Sequence, residues 1–246
     1  MPTDAELEQA ELEQAELLRL IQSREAEWEQ TKLFRLYPDT GPLRRELYVK
    51  HLQHFAAGKE YNERALVGGN RSGKTMACSY ETTCHLIGWY PPWWEGFRFD
   101  RAIIAWAAGE DTKAVRESLQ VTFLGAIDHL GTGLIPKKNI LGTAARSGVP
   151  EAIDSVTIKS NHGGTSRLVL KSYDQGRESF QAAAVNVMQF DEEPPSNIYG
   201  EGLMRTMSTV PGEPNGIVIC GFTPLKGLSD VVLSYMPGGS MTEGAV

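Results

Sequence analysis

Basic charge is scarce in this chain. Its 24 Lys and Arg stand against 31 Asp and Glu, a formal net charge of −7. A protein that wraps DNA over its whole surface needs cations for the phosphates, so that class is disfavoured. A local basic patch stays compatible, because the acid is uneven. Asp4, Glu6, Glu8, Glu11, Glu13, Glu16, Glu25, Glu27 and Glu29 crowd the N-terminus against Arg19 and Arg24. Cysteine is rare too. Cys78, Cys84 and Cys220 are odd in number and have no metal-ligand spacing, which suits small buried residues in a reducing cytosol. No apolar run reaches the length of a membrane span. The acidic N-terminus lacks the apolar core of a secretion signal. The guanine-reading Asn-Lys-x-Asp motif and the Leu-Ser-Gly-Gly signature of transporter ATPases are both missing, which disfavours those two nucleotide classes.

What is present is a complete G-x-x-x-x-G-K-[ST] loop: Gly68, Gly69, Asn70, Arg71, Ser72, Gly73, Lys74 and Thr75. Glycines let such a backbone wrap close enough to aim several N–H groups at a phosphate chain. Lys74 is placed to reach the terminal phosphates, and the Thr75 hydroxyl to take one Mg²⁺ position. The apolar run Arg64–Val67 before the loop reads as a buried strand, and Met76–Leu86 after it as a helix. Strand–loop–helix is the context that the motif requires, and the helix N-terminus favours the same anion.

A second half of the site lies far along the chain. The run 185–190 reads as an apolar strand and ends in Asp191-Glu192-Glu193. A carboxylate at a strand tip is the magnesium-side partner of a phosphate loop. Asp191 is expected to hold Mg²⁺ through water, and Glu192 to polarise the attacking water. A small-molecule kinase normally lacks an acid in the Glu192 role, because its acceptor is not water. Gln189 is a polar guest in that strand and is expected to face a partner group. Thr223 ends the last strand, where a hydroxyl can sense the γ-phosphate and report its loss.

Between these motifs the pattern alternates. Strands are expected at 102–108, 153–159, 168–172 and 216–222, and helices at 111–130 and from Leu228. Residues 131–150 read as turns. This predicts an α/β fold with a mostly parallel sheet and helices on both faces, the ends carrying Gly68, Asp191 and Thr223 meeting at one edge. Residues 4–36 contain no Gly or Pro and read as helix. Leu7, Leu12 and Leu17 recur every five residues, which drifts around a helix and does not hold a coiled-coil seam. A solvated helix and a partner-docking helix both remain open. Pro38-Asp39-Thr40-Gly41-Pro42 breaks it, dividing an N-terminal helical segment, 1–42, from a nucleotide-binding domain, 43–246.

Several separated motifs then carry a resemblance. They are the phosphate loop, Asp191-Glu192-Glu193-Pro194-Pro195, Ile198-Tyr199-Gly200-Glu201 with Arg205, and Phe222-Thr223-Pro224-Leu225 with Gly227. Lys171-Ser172-Tyr173-Asp174-Gln175-Gly176-Arg177 and the Tyr90-Pro91-Pro92-Trp93-Trp94 loop fit the same family. Together they resemble the large terminase subunit of tailed double-stranded DNA bacteriophages. The resemblance implies a P-loop NTPase of the additional-strand, catalytic-glutamate (RecA-like) type. It implies an ATP hydrolase, with ATP and Mg²⁺ as cofactors, that pumps double-stranded DNA into a procapsid. Implied partners are the portal protein, a small terminase subunit, and further copies in a ring on the portal. The implied location is the host cytoplasm, transiently at the portal vertex. The family's C-terminal nuclease is not expected in this chain, and neither is DNA cleavage.

Relatives often read adenine with a Gln upstream of the loop. By register His51 stands there, with Gln53 two residues on, so both are candidates for nucleotide contact. An arginine is expected to stabilise charge on the transferred phosphoryl group. Arg71 is the candidate in cis; Arg146, Arg177 and Arg205 are candidates for insertion from a neighbour. Lys137, Lys138, Arg146, Lys159 and Arg167 are candidate DNA or subunit contacts. A helicase or recombination-type ATPase would share this site, and a nucleotide-binding assembly switch would share all of it except turnover.

Overall fold

A computed structural model describes residues 9, 12–20, 22, 31–181, 183–225 and 227–236. About half of the helix expected over 4–36 therefore falls outside the described residues. Within them, 12–20 is helical and exposed throughout. A short helix α1 (Lys32–Arg35) buries Leu33, and the chain then bends at Tyr37 and the prolines. Helix α2 (Val49–Ala57) follows a 3-10 turn and buries His51, His54 and Phe55.

The core is a seven-stranded sheet. Its strands are β1 (Glu63–Val67), β2 (Ile104–Gly109), β3 (Ile140–Ala145), β4 (Ile153–Lys159), β5 (Thr165–Ser172), β6 (Val187–Asp191) and β7 (Ile217–Phe222). The spatial order is β1-β7-β6-β2-β5-β4-β3. The first five in that order run parallel, and β4 and β3 extend the sheet antiparallel. Strand β7 sits between the phosphate-loop strand β1 and the acid-tipped strand β6. This is the additional strand that the resemblance implies.

Period-two alternation builds both faces. Ala105, Ala107, Val187, Ile217 and Ile219 point to one core, with Ala77, Cys78 and Leu86 of helix α3 (Lys74–Ile87). Val115, Leu119 and Phe123 of helix α4 (residues 112–124) pack on the same side. Trp106, Ala108, Met188, Phe190, Val218, Cys220 and Phe222 point the other way. They meet Ile198 and Tyr199 of α5 (Ser196–Thr206) and Val231 and Val232 of α6 (Asp230–Tyr235).

Three expectations differ from what is found. The helix expected over 111–130 stops at Gly125, which takes φ +91°, and its middle, Val115–Gln120, is π-helical. The stretch read as turns holds strand β3, an outer strand that is exposed from Leu141 onward and ends in small residues. Its composition gives no alternation to detect. Strand β5 begins at Thr165, before the expected Leu168, because pairing with β4 extends it toward the turn.

Candidate active site

The C-terminal ends of the parallel strands bring the separated motifs together. The loop leaves β1 at Gly68, whose N–H donates to the Phe222 carbonyl of β7. Gly73 takes φ +83° and opens α3. The Lys74 ammonium donates to the carbonyls of Gly68 and Gly69 at 3.1 and 2.9 Å and to Thr223 Oγ1 at 2.9 Å. Thr223 Oγ1 is also 2.9 Å from the Gly68 carbonyl and 3.1 Å from Asn70 Oδ1. The expected sensor hydroxyl thus touches the loop at several points.

The Thr75 hydroxyl donates to Asp191 Oδ1 at 2.7 Å. Close approach of α3 makes this possible. A Cβ added at Gly221, beside Asp191 in the sheet, would meet Cys78 Sγ at 2.9 Å, so glycine there lets the helix lie flush on β7. Burial pushes the Asp191 carboxyl up to about 6. The Thr75 hydroxyl pulls it down, Glu192 adds to the rise, and Lys74 opposes it. A buried carboxylate with hydroxyl and ammonium neighbours but no ion pair among the described residues is poised for an added cation.

Glu192 takes φ +64°, a conformation that side-chain-bearing residues rarely adopt. Its N–H donates to Gly221, and its Oε2 lies 3.5 Å from the Thr223 nitrogen. The turn therefore folds the carboxylate back toward the Thr223 tip. Tyr173, buried under the turn, donates toward the carbonyls of Asp191 and Glu192, each at 3.0 Å. Sequence reasoning noted the motif around Tyr173 but not this support. Beside Glu192 opens a cleft of about 560 Å³, lined by Glu110, Tyr173, Asp174, Glu192, Glu193, Pro195, Thr223 and Leu225. Glu110 was not singled out from the sequence, and Asp174 appeared there only within its motif; they end up there because β2 and β5 finish at the same edge.

The arginines divide. Arg71 is exposed at the crest of the loop, at φ +63°, with no ion pair among the described residues. Arg177 and Arg205 both pair with the buried Glu201, each at 3.0 Å. Arg146 is nearly enclosed, bonded to the Leu170 carbonyl and 3.6 Å from Asp154.

His51 meets the loop differently from the sequence expectation. Its Nε2 is 3.1 Å from the Ser72 carbonyl and its Nδ1 is 3.0 Å from the Tyr37 hydroxyl. A carbonyl only accepts, so Nε2 carries the proton and Nδ1 accepts from Tyr37. Burial lowers the pKa of the ring, against the Ser72 bond, and keeps it neutral. Both nitrogens are engaged by protein, which leaves neither for a base. Gln53 is exposed on another face of α2.

Residues 65–238 match the family described as terminase large subunit, T4likevirus-type, N-terminal. The large terminase subunit of Salmonella phage P22 is 32% identical, over 94% of this chain and 48% of that protein. The chain thus spans about half the length of the curated relative it matches. The large terminase ATPase domain of Thermus phage P74-26 shares the fold, with a TM-score of 0.50 and 18% identity over 79% of this chain and 73% of that one. A large terminase of the thermophilic bacteriophage D6E, solved in complex with ADP, gives a TM-score of 0.40 and 16% identity over 71% of this chain and 37% of that one. With its additional strand between loop and acid, and a family match over most of its length, this chain belongs to the terminase large subunits, of which it carries the N-terminal region.

Proposed function

We propose that the chain is the motor region of a terminase large subunit, a Mg²⁺-dependent ATP hydrolase that drives double-stranded DNA into a procapsid. The observation that carries this reading is the 2.7 Å contact between Thr75 and Asp191, which joins the phosphate loop to the acid strand with Glu192 next in line. The loop amides and Lys74 bind the phosphate chain, and Lys74 exchanges its protein carbonyls for phosphate oxygens. The hard oxygens of Thr75 and Asp191 suit Mg²⁺, which when bound neutralises charge on the β- and γ-phosphates. Glu192 orients water and accepts its proton as the water oxygen bonds to the γ-phosphorus and the bond to ADP breaks. Thr223, in contact with the loop and Lys74, registers the loss of the γ-phosphate.

Arg71 is the charge-stabilising residue in cis, because it is exposed and uncommitted. Arg177 and Arg205 would first have to leave Glu201. His51 and Tyr37 hold the loop backbone, and base recognition falls to other groups. DNA, the portal protein, the small subunit and neighbouring copies in a ring are the partners of this reading, at the portal vertex in the host cytoplasm. DNA is gripped through its backbone phosphates, which position without specifying sequence.

The test is ATP turnover against protein concentration, with and without duplex DNA. Mg²⁺-dependent turnover is expected, and a steep rise with concentration would reveal a catalytic group donated in trans. Absence of both nucleotide binding and turnover would sink the reading. Duplex unwinding without a portal would move the chain to the helicase class.

A further inference from the structure

We propose that Gln189 is a positioning residue, which sets the register between the strand carrying Asp191 and the phosphate-loop helix and so fixes the Thr75–Asp191 contact. This rests on the nucleotide reading above and adds to it the element that aligns its two halves.

The argument starts from alternation. Residues 187, 189 and 191 of β6 share one face, the face toward α3. Val187 joins the apolar core there, and Asp191 meets Thr75. Gln189 lies between them in mid-sheet, flanked by Ala107 and Ile219, and is fully buried. An amide in that place is destabilising unless both ends are bonded. Both are: Nε2 donates to Ser79 Oγ at 2.9 Å, and Oε1 accepts from Thr82 Oγ1 at 2.8 Å.

Ser79 and Thr82 are three apart on α3, so they share a face. Thr75 is four before Ser79 and lies on the same face. The strand and helix are therefore joined by polar rungs: Asp191 to Thr75, and Gln189 to Ser79 and Thr82. An apolar residue at 189 could hold the same separation. It could not select a register, because apolar attraction is non-directional and a hydrogen bond is not. Sliding α3 by one residue is about 1.5 Å. Directed along the contact, a slide of that size takes a hydroxyl from 2.7 Å to beyond hydrogen-bond reach of Asp191. The sequence around Gln189 is otherwise apolar, so the amide is the one directional contact in the interior of the strand face.

The test separates register from stability. Binding of the β,γ-imido analogue of ATP is measured by calorimetry in EDTA and in saturating MgCl₂. The proteins are the wild-type chain, Gln189→Met, Thr82→Val, and the triple variant Ser79→Ala/Thr82→Val/Gln189→Met. Wild type is expected to gain affinity from Mg²⁺. Gln189→Met loses about ten- to a hundredfold of that gain, the scale of lost outer-shell support at a metal site, with its affinity in EDTA unchanged. Thr82→Val, which keeps the Ser79 bond, loses less. The triple variant leaves no orphan polar group and recovers its Tm, but not the Mg²⁺ gain. A Gln189→Met protein with the full Mg²⁺ gain overturns the proposal, and so does a triple variant that recovers both properties. If Gln189→Met does not fold, Thr82→Val alone decides: an undiminished Mg²⁺ gain overturns the proposal. Wild-type chain that binds no analogue would instead defeat the nucleotide reading itself.

Discussion

Two buried carboxylates flank helix α3, Asp191 facing its first turn and Glu81 in its middle, and they titrate in opposite directions. In mid-helix, Glu81 is fully buried, 2.7 Å from the Arg64 guanidinium, with His85 at 3.4 Å and His54 at 3.7 Å. Burial pushes its carboxyl up, but the Arg64 charge, His85 and His54 bring it down to about 2. At the first turn Asp191 is almost as buried and stands at about 6. The first acid is in direct ion-pair contact with its countercharge, whereas the second has only the more distant Lys74 ammonium and no ion pair among the described residues. A saturated buried pair maintains structure, whereas an unsaturated buried acid awaits a ligand. Burial alone distinguishes nothing here; the presence of a partner does.

The largest test of that contrast is beside Asp191. Glu192→Gln is expected to cut ATP turnover by about 10²–10⁴-fold while nucleotide affinity is retained. Turnover close to wild type would remove Glu192 from the chemistry. At Glu81 the pattern should invert. Glu81→Ala leaves Arg64 buried and unpaired and is expected to lose about 3–5 kcal/mol in urea denaturation. Protein that remains folded should bind nucleotide as before. A loss of affinity without loss of stability would erase the distinction between the two acids.

The pH dependence sharpens it further. Asp191 must be ionised to take a cation, so Mg²⁺ affinity should rise with pH to about 6 and level off above. A flat profile between pH 4 and 7, measured by calorimetry, would contradict the raised carboxyl. Stability should follow opposite signs. The Asp191 contribution weakens as pH climbs from 3.8 toward about 6, because the folded chain prefers the proton. The Glu81 contribution is full above 4.5 and fades as pH falls through about 2. The smallest effect is expected beside the loop. Tyr37→Phe removes the donor to His51 Nδ1 and should lower stability by about 1 kcal/mol. An unchanged melting curve would show that this bond contributes nothing.

Much of this site was legible because its chemistry is local. The loop spells itself out over consecutive residues, and an apolar strand ending in acids is visible without any contact map. Gln189 was conspicuous as a polar residue in an apolar run, but its partners on α3 required the third dimension. His51 shows the limit of register. Its place before the loop matched a base reader, yet Tyr37 and Ser72 close on both nitrogens, and no spacing rule gives a side chain's neighbours. Strand β3 escaped for another reason. An outer strand in which only Ile140 is half-buried, and Leu141-Gly142-Thr143-Ala144-Ala145 are exposed, has nothing in its sequence that had to alternate.

Strand β7 is zipped to β1 along one edge and to β6 along the other. A ribbon clasped on both sides cannot slide without tearing two ladders at once. On the proposed reading, movement that begins at Thr223 would therefore leave through the polypeptide beyond it. Pro224 stiffens that exit by fixing its own φ. On that reading the sheet would be the anvil, and Pro224 with helix α6 further along the chain would lie on the lever arm.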